Sequence, residues 1–64
     1  MKKYAVVREV EDVVEFYSLW DADVYEVQPN GKHKCVAYGR FWSRKDAEQF
    51  VKEHGLKTFE VEEA

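Results

Sequence analysis

The chain has 64 residues, a formal net charge of −3 and one cysteine. This length accommodates a single hydrophobic core, so we expect one domain spanning residues 1–64. One cysteine cannot pair within the chain, which excludes a disulfide-stabilised scaffold. Hydrophobic residues make up 45% of the chain and the net charge is small, so the composition also argues against disorder.

The N-terminus begins with two lysines but does not continue as a secretion signal. The apolar run at residues 4–7 ends at Arg8, whereas a signal peptide needs about 7–15 apolar residues there. Nothing approaches the roughly 18 consecutive apolar residues that would indicate a membrane span. We therefore expect a cytoplasmic protein without membrane contact, in which Cys35 is reduced.

The first two thirds of the chain have the composition of β-strands. Valine and aromatic residues alternate with polar residues, a pattern typical of a half-buried sheet. Four strands are predicted, over residues 3–10, 13–20, 24–28 and 33–42. Breaks are predicted between them at Glu11-Asp12, at Asp21-Ala22-Asp23 and at Pro29-Asn30-Gly31. The last is the strongest turn signal, because Pro fixes φ while Asn and Gly tolerate positive φ.

A helix is predicted to begin after Ser43. This residue is a good N-cap, and Asp46 follows at the spacing of a capping box. The next residues form one apolar helical stripe, namely Ala47, Phe50, Val51 and His54. Gly55 then has the position and type of a C-terminal cap. Residues 57–62 alternate again and predict a last half-buried strand.

These elements predict an α+β fold with a small antiparallel sheet, the order β-β-β-β-α-β and the single helix packed on one face. One helix can cover only one face, yet the second and fourth predicted strands are apolar on both faces. In the fourth strand we expect Cys35, Ala37 and Phe41 to share the core face. Gly39 in the same strand indicates a bulge or the close approach of Phe50 or of another backbone segment.

The second apolar face has two interpretations. Either a twisted sheet curls on itself and hides the surplus side chains, or an aromatic patch stays exposed and binds a partner or a second copy. A chain this short, without a disulfide or a structural metal to stabilise it, commonly gains stability by association. We therefore expect a homodimer.

The charges are divided along the chain. Residues 9–26 contain seven acids and no Lys or Arg, whereas residues 32–45 contain five Lys or Arg and no acid. Cross-strand pairing between facing strands would explain this division. A partner-binding role for the acidic segment is the alternative, because complementary fields steer association. Its candidate residues are Glu11, Asp12, Glu15, Asp21, Asp23 and Glu26.

The basic segment interleaves cations with aromatic rings, which suits phosphate contacts and base stacking. The candidate nucleic-acid residues are Lys32, Lys34, Tyr38, Arg40, Trp42, Arg44 and Lys45. A sequence pI near 5.3 disfavours this alternative, because nucleic-acid-binding domains are usually basic.

Catalysis and metal binding have little support in the sequence. His33 and Cys35 are two residues apart on a predicted strand, so their side chains lie about 6.6 Å apart and beyond hydrogen-bond reach. We interpret Cys35 as a small core residue. No catalytic, cofactor or metal-binding residues are predicted.

The leading hypothesis is a non-catalytic binding protein that occupies the surface of a macromolecular partner, with another protein favoured over nucleic acid. In size and composition the chain resembles the small proteins encoded by bacteriophages and other mobile elements, many of which bind and inhibit one host protein. The resemblance implies an adaptor or inhibitor and assigns no residue a role.

Overall fold

The computed structural model of the chain describes residues 2–12 and 17–63, apart from the side chains of residues 12 and 17. The elements are β1 (Lys2–Asp12), β2 (Tyr17–Val27), β3 (His33–Phe41), α1 (Arg44–Glu53) and β4 (Glu60–Glu62). The α+β class and the single helix packed on a sheet are confirmed. Part of the second predicted strand, residues 13–16, lies outside the described residues.

Two of the predicted breaks are wrong, because strand runs through both. Asp12 pairs with Tyr17, and β1 continues to its end without a turn at Glu11-Asp12. The sequence Asp21-Ala22-Asp23 also lies inside β2. Its composition is that of a turn, but its alternation is that of a half-buried strand, with Ala22 fully buried between two partly exposed carboxylates. In residues 2–12 and 17–63 three long strands therefore precede the helix, where four were predicted.

The described strands form one sheet of order β3-β2-β1-β4. The neighbours β1, β2 and β3 are antiparallel, whereas β4 pairs parallel to β1. The prediction of a purely antiparallel sheet is thus wrong. A helix connects β3 to β4 across the sheet, and such a crossover returns the chain in the same direction. Since β3 runs parallel to β1, β4 does too.

The hairpin turn at Pro29-Asn30-Gly31 is confirmed. Gly31 has φ +84°, and its amide donates to the Gln28 carbonyl at 2.9 Å. The Asn30 side chain accepts a 3.0 Å bond from the Lys32 amide. The local signal therefore fixes where β2 reverses into β3.

Helix α1 has the predicted caps. The Asp46 amide donates to Ser43 Oγ at 3.2 Å. At the other end Gly55 has φ +83°, and the Leu56 amide reaches the Val51 carbonyl at 3.4 Å while the Gly55 amide reaches Lys52 at 3.0 Å. These two bonds are the pair that defines a Schellman cap.

The helix packs on what we term the covered face of the sheet. Its buried members are small, namely Ala5, Val7, Ala22, Val24, Ala47 and Val51. Larger side chains pack around them, including Trp20, Phe41, Phe50, Leu56 and Phe59. No helix in the described part of the chain is long and apolar enough to span a membrane.

A β-bulge in β3 changes which side chains reach the core. Val24 pairs with Ala37 but Tyr25 pairs with Cys35, so Val36 is an extra residue in β3. Ala37 packs against the core, whereas Cys35 moves to the row of Tyr25 and is exposed. The prediction of Cys35 as a core residue on the face of Ala37 is therefore wrong, because strict alternation does not cross a bulge.

Candidate functional site

The opposite surface of the sheet, which we term the open face, is covered by no helix in residues 2–12 and 17–63. Strand alternation and the pairing registers place transverse rows on it, four of which span three or more strands. From the turn at residues 28–32 inward, the rows are Lys2, Val27 and His33; Tyr4, Tyr25 and Cys35; Glu60, Val6, Asp23 and Tyr38; and Glu62, Arg8, Asp21 and Arg40. No described element packs on this face. Val6 is 9% exposed there and Tyr38 is 78% exposed, so part of the second apolar set is buried within the sheet and part of it is an exposed patch.

An aromatic cluster occupies one end of the open face. The Tyr4 and Tyr25 rings are stacked, with centroids 5.2 Å apart and planes inclined by 21°. His33 meets Tyr4 edge-on at 5.4 Å, and its Nδ1 is hydrogen-bonded to the Tyr4 hydroxyl. Burial is the main cause that raises the pKa of Tyr25. The cluster therefore presents a fixed, mostly apolar surface rather than separate mobile rings.

Tyr38 stands apart from that cluster and is 78% exposed. Its Cα partner is Asp23 on β2. Trp42, which follows β3, is 72% exposed. Large rings exposed to this degree are uncommon on a surface that contacts only water, and they mark binding surfaces when grouped.

The fourth row, which we term the charged row, consists of residues that form ion pairs with each other. Arg8 Nε lies 2.7 Å from Glu62 Oε2. Arg40 donates from Nε and Nη2 to the two Asp21 oxygens at 2.6 and 2.9 Å. That bidentate hydrogen bonding is the main cause that lowers the pKa of Asp21, and the hydrogen bond that Arg8 donates to Glu62 is the main cause that raises the pKa of Arg8. Cross-strand pairing therefore accounts for part of the charge division along the chain.

The acidic candidates do not share one surface. Asp21 and Asp23 lie on the open face, whereas Glu11 and Glu26 fall on the covered-face side near opposite ends of the strands. Glu26 also accepts a 3.2 Å bond from the Gln28 side chain. Glu15 and the side chain of Asp12 lie outside the described residues. Of the four candidates whose side chains are described, the structure thus brings two together.

The basic candidates are divided as well. Tyr38 and Arg40 share the open face, and Lys34 pairs with Glu26 on the other side. Arg44 lies on α1, with its guanidinium 5.9 Å from the centre of the Trp20 ring and near two carboxylates, at 3.6 Å from Glu48 and 3.2 Å from Glu63. Lys32 and Lys45 are exposed in the turn and on the helix. The segment is therefore continuous in sequence but not as a surface.

His33 and Cys35 are not joined as a reactive pair by any described hydrogen bond. His33 engages Tyr4, and Cys35 Sγ lies 3.5 Å from the Ala37 carbonyl oxygen. Among the described residues there is no group of three or more His, Cys, Asp or Glu side chains arranged to hold a metal ion.

A shallow groove of about 580 Å³ runs beside the tyrosine pair. It lies where β4 has not yet joined β1, since their pairing begins only at Val6 and Glu60. Its walls combine open-face and covered-face residues, namely Lys2, Tyr4, Ala5, Val27, His33, Thr58, Phe59 and Glu60. The groove is open to solvent and extends the open face around the sheet edge.

Several members of the open face were not singled out in the sequence as site residues. Tyr4, Arg8, Tyr25 and Glu62 come from three different strands, and only the registers bring them together.

Comparisons of the chain with protein-family models, with curated proteins and with solved structures found no match. Function is therefore inferred from the surface itself.

Proposed function

We propose that this chain is a non-catalytic binding protein, an adaptor or inhibitor that occupies the surface of a macromolecular partner, and that a protein covers its open face. The observation that carries the proposal is the exposure of Tyr38, at 78%, on a sheet face that also carries the Tyr4–Tyr25 stack. No described element of the chain covers this combination.

The chemistry of the open face suits a protein contact. Interfaces are enriched in tyrosine and arginine, and the residues that dominate affinity are usually of these types. A stacked pair is already ordered, so binding to it loses little side-chain entropy. The paired ions around the tyrosines provide a polar rim that hydrogen-bonds a partner without leaving a lone charge buried.

A protein partner fits this face better than a nucleic acid does. Both guanidinium groups of the charged row are engaged by carboxylates, at Arg8–Glu62 and Arg40–Asp21. Phosphate binding would have to compete with those carboxylates. Tyr4 and Tyr25 stack on each other, so the ring faces that meet cannot also stack on bases.

The test is site-specific cross-linking in cells that express the protein. A photoreactive benzoyl-phenylalanine replaces Tyr38, which it resembles in shape, and in the control it replaces Gln49, an exposed residue of α1. We expect a discrete protease-sensitive adduct from position 38 and none from position 49. Equal labelling from both positions, or none from either, contradicts the proposal.

The nucleic-acid alternative retains one supporting observation, the exposed Tyr38 and Arg40 on one face. Phosphate contacts produce a log-linear loss of affinity with salt. A salt titration with single-stranded oligonucleotides tests this directly. Binding with such a slope, together with nuclease-sensitive adducts from position 38, would replace the protein partner by a nucleic acid.

A further inference from the structure

We infer that the protein which covers the open face is a second copy of this chain, placed by a two-fold axis that runs parallel to the strands between β1 and β2. The inference rests on the proposed function, since it requires the open face to be a protein-binding surface. It is carried by the order of charges across the sheet.

The charged row alternates in sign from one edge of the sheet to the other. Arg8 is the Cα partner of both Glu62 and Asp21, and Asp21 is the partner of Arg40. In the order β4-β1-β2-β3 the row therefore has the signs minus, plus, minus, plus. Arg8 and Asp21 lie inside the two long central strands, Arg40 and Glu62 lie at the ends of β3 and β4, and all four take part in ion pairs within the row.

When a row contains an even number of charges that alternate in sign, the same row in reverse order places an opposite charge at every position. A two-fold axis parallel to the strands turns the second sheet over and reverses its strand order, as an isologous interface requires. With the axis between β1 and β2, Arg8 of one copy faces Asp21 of the other, and Glu62 faces Arg40. Every ion then gains a second opposite charge while it keeps its partner within the chain.

The same row of charges disfavours other placements of the two-fold axis between the two copies. A slip by one strand brings Arg8 against Arg8 of the second copy, or Asp21 against Asp21. An in-plane axis perpendicular to the strands and through this row leaves the strand order unreversed and places all four like charges together. Like charges across an interface cost several kcal/mol, so the alternation specifies both the axis and the register.

The remaining features of the face fit this pairing. The axis places Tyr4 of one copy opposite Tyr25 of the other, so the two stacked pairs form a four-ring cluster of the kind that anchors interfaces. The molecule measures 41 × 21 × 15 Å along its principal axes. Its broad face is thus comparable with the 800 Å² or so that each partner buries in a standard interface.

The chain offers matched variants that keep its composition and net charge. Exchanging Asp21 and Arg40 (D21R/R40D) gives the row minus, plus, plus, minus, and exchanging Arg8 and Glu62 (R8E/E62R) gives plus, minus, minus, plus. Each places like charges opposite each other across the axis. An exchange of the helix pair Arg44 and Glu48 is the control, since both are outside the open face.

Analytical ultracentrifugation between about 5 and 500 μM covers the affinities of ordinary interfaces of this size. We expect the wild type and the helix control to reach twice the 7.6 kDa chain mass, and each exchanged variant to dimerise at least about tenfold more weakly. An equimolar mixture of the two exchanged variants has complementary rows and should form the mixed dimer. The fourfold variant restores alternation and should regain the homodimer.

Circular dichroism confirms that each variant folds, and the mixed dimer provides a positive result that an unfolded variant cannot give. A wild type that stays monomeric over the whole range overturns the inference. So does unchanged dimerisation of both exchanged variants, or a mixture no more associated than its components.

The inference and the proposed function fail in different ways. A monomeric wild type whose position 38 still cross-links to another protein ends the inference and leaves the proposed function in place. The absence of both a dimer and a cross-link ends both. A dimer that obeys the charge exchanges supports the inference, and of the proposed function it supports the part that makes the open face a protein-binding surface.

Discussion

The two faces of this sheet are built from different side chains for different contacts. On the covered face, alanine and valine at the centre let the helix approach closely, and Val7, Ala22 and Val51 are fully buried. On the open face, tyrosines and ion pairs project from the same strands. Alternate residues of β1 and β2 therefore serve two separate requirements, a dense core on one side and a binding surface on the other.

The difference between the two faces also helps to explain how so short a chain folds. Small buried side chains give a thin core, and one core in a chain of this size supplies only about 3–5 kcal/mol. Val6 is only 9% exposed although it lies on the open face, where no described helix packs. The open face thus contributes to stability, but with contacts that a partner can extend.

The largest effect should come from the covered face. Val7→Ala removes two methyl groups from a fully buried site and should lower the free energy of unfolding by about 2–3 kcal/mol, because the cavity is only partly refilled. Val36→Ala is the matched control, as Val36 is 43% exposed, and should cost under about 0.5 kcal/mol. Urea denaturation measures both. Equal losses would mean that the buried site of Val7 is no more densely packed than an exposed position of the sheet.

A second prediction for the covered face adds a methyl group instead of removing methyl groups. A Cβ at Gly39 would lie 2.7 Å from Cζ of Phe41, whose ring folds over that position and packs on Phe50. Gly39→Ala should cost about 1 kcal/mol, since the displaced ring outweighs the entropy that alanine removes from the unfolded chain. The near-ultraviolet circular dichroism of the aromatic residues should change as well. An unchanged spectrum with unchanged stability would show that Phe41 does not depend on the glycine.

The sequence predicted what is encoded locally. Ser43, Gly55 and the Pro29-Asn30-Gly31 turn act through their own backbone and nearest neighbours, and each is found where its residue type places it. The helix and its face followed for the same reason. Such signals depend on a few consecutive residues, so no knowledge of the sheet is required.

The errors came from features that depend on distant strands. Asp21 is tolerated inside β2 because Arg40 lies opposite it, which no local pattern reveals. The face of Cys35 depends on a bulge that is defined by pairing with β2. Likewise, the open face assembles Arg8 of β1, Tyr25 of β2 and Glu62 of β4. The charge division did predict cross-strand pairs, but not which residues form them.

The open face should show a smaller, pH-dependent effect at Asp21. Its pKa is lowered mainly by hydrogen bonds from Arg40, so the pair stabilises the fold above the unfolded-state pKa and loses that contribution as pH falls through the folded-state pKa. Asp21→Asn should cost a few tenths to about 1 kcal/mol near pH 7. Variant and wild type should converge once the pH falls below the lowered folded-state pKa of Asp21. Denaturation at fixed chain concentration tests this, and a constant difference at all pH values contradicts it.

The smallest effect on stability should accompany the largest effect on binding. Tyr38 is 78% exposed, so Tyr38→Ala should change the free energy of unfolding by no more than about 0.5 kcal/mol. Truncation of a tyrosine anchor at an interface commonly costs 2 kcal/mol or more, so the same change should weaken the partner contact about 30-fold. Tyr38→Phe, which keeps the ring, should retain most of the affinity. If Tyr38→Ala instead unfolds the chain, the exposed ring stabilises the fold. The two faces then do not have the separate roles of core and binding surface.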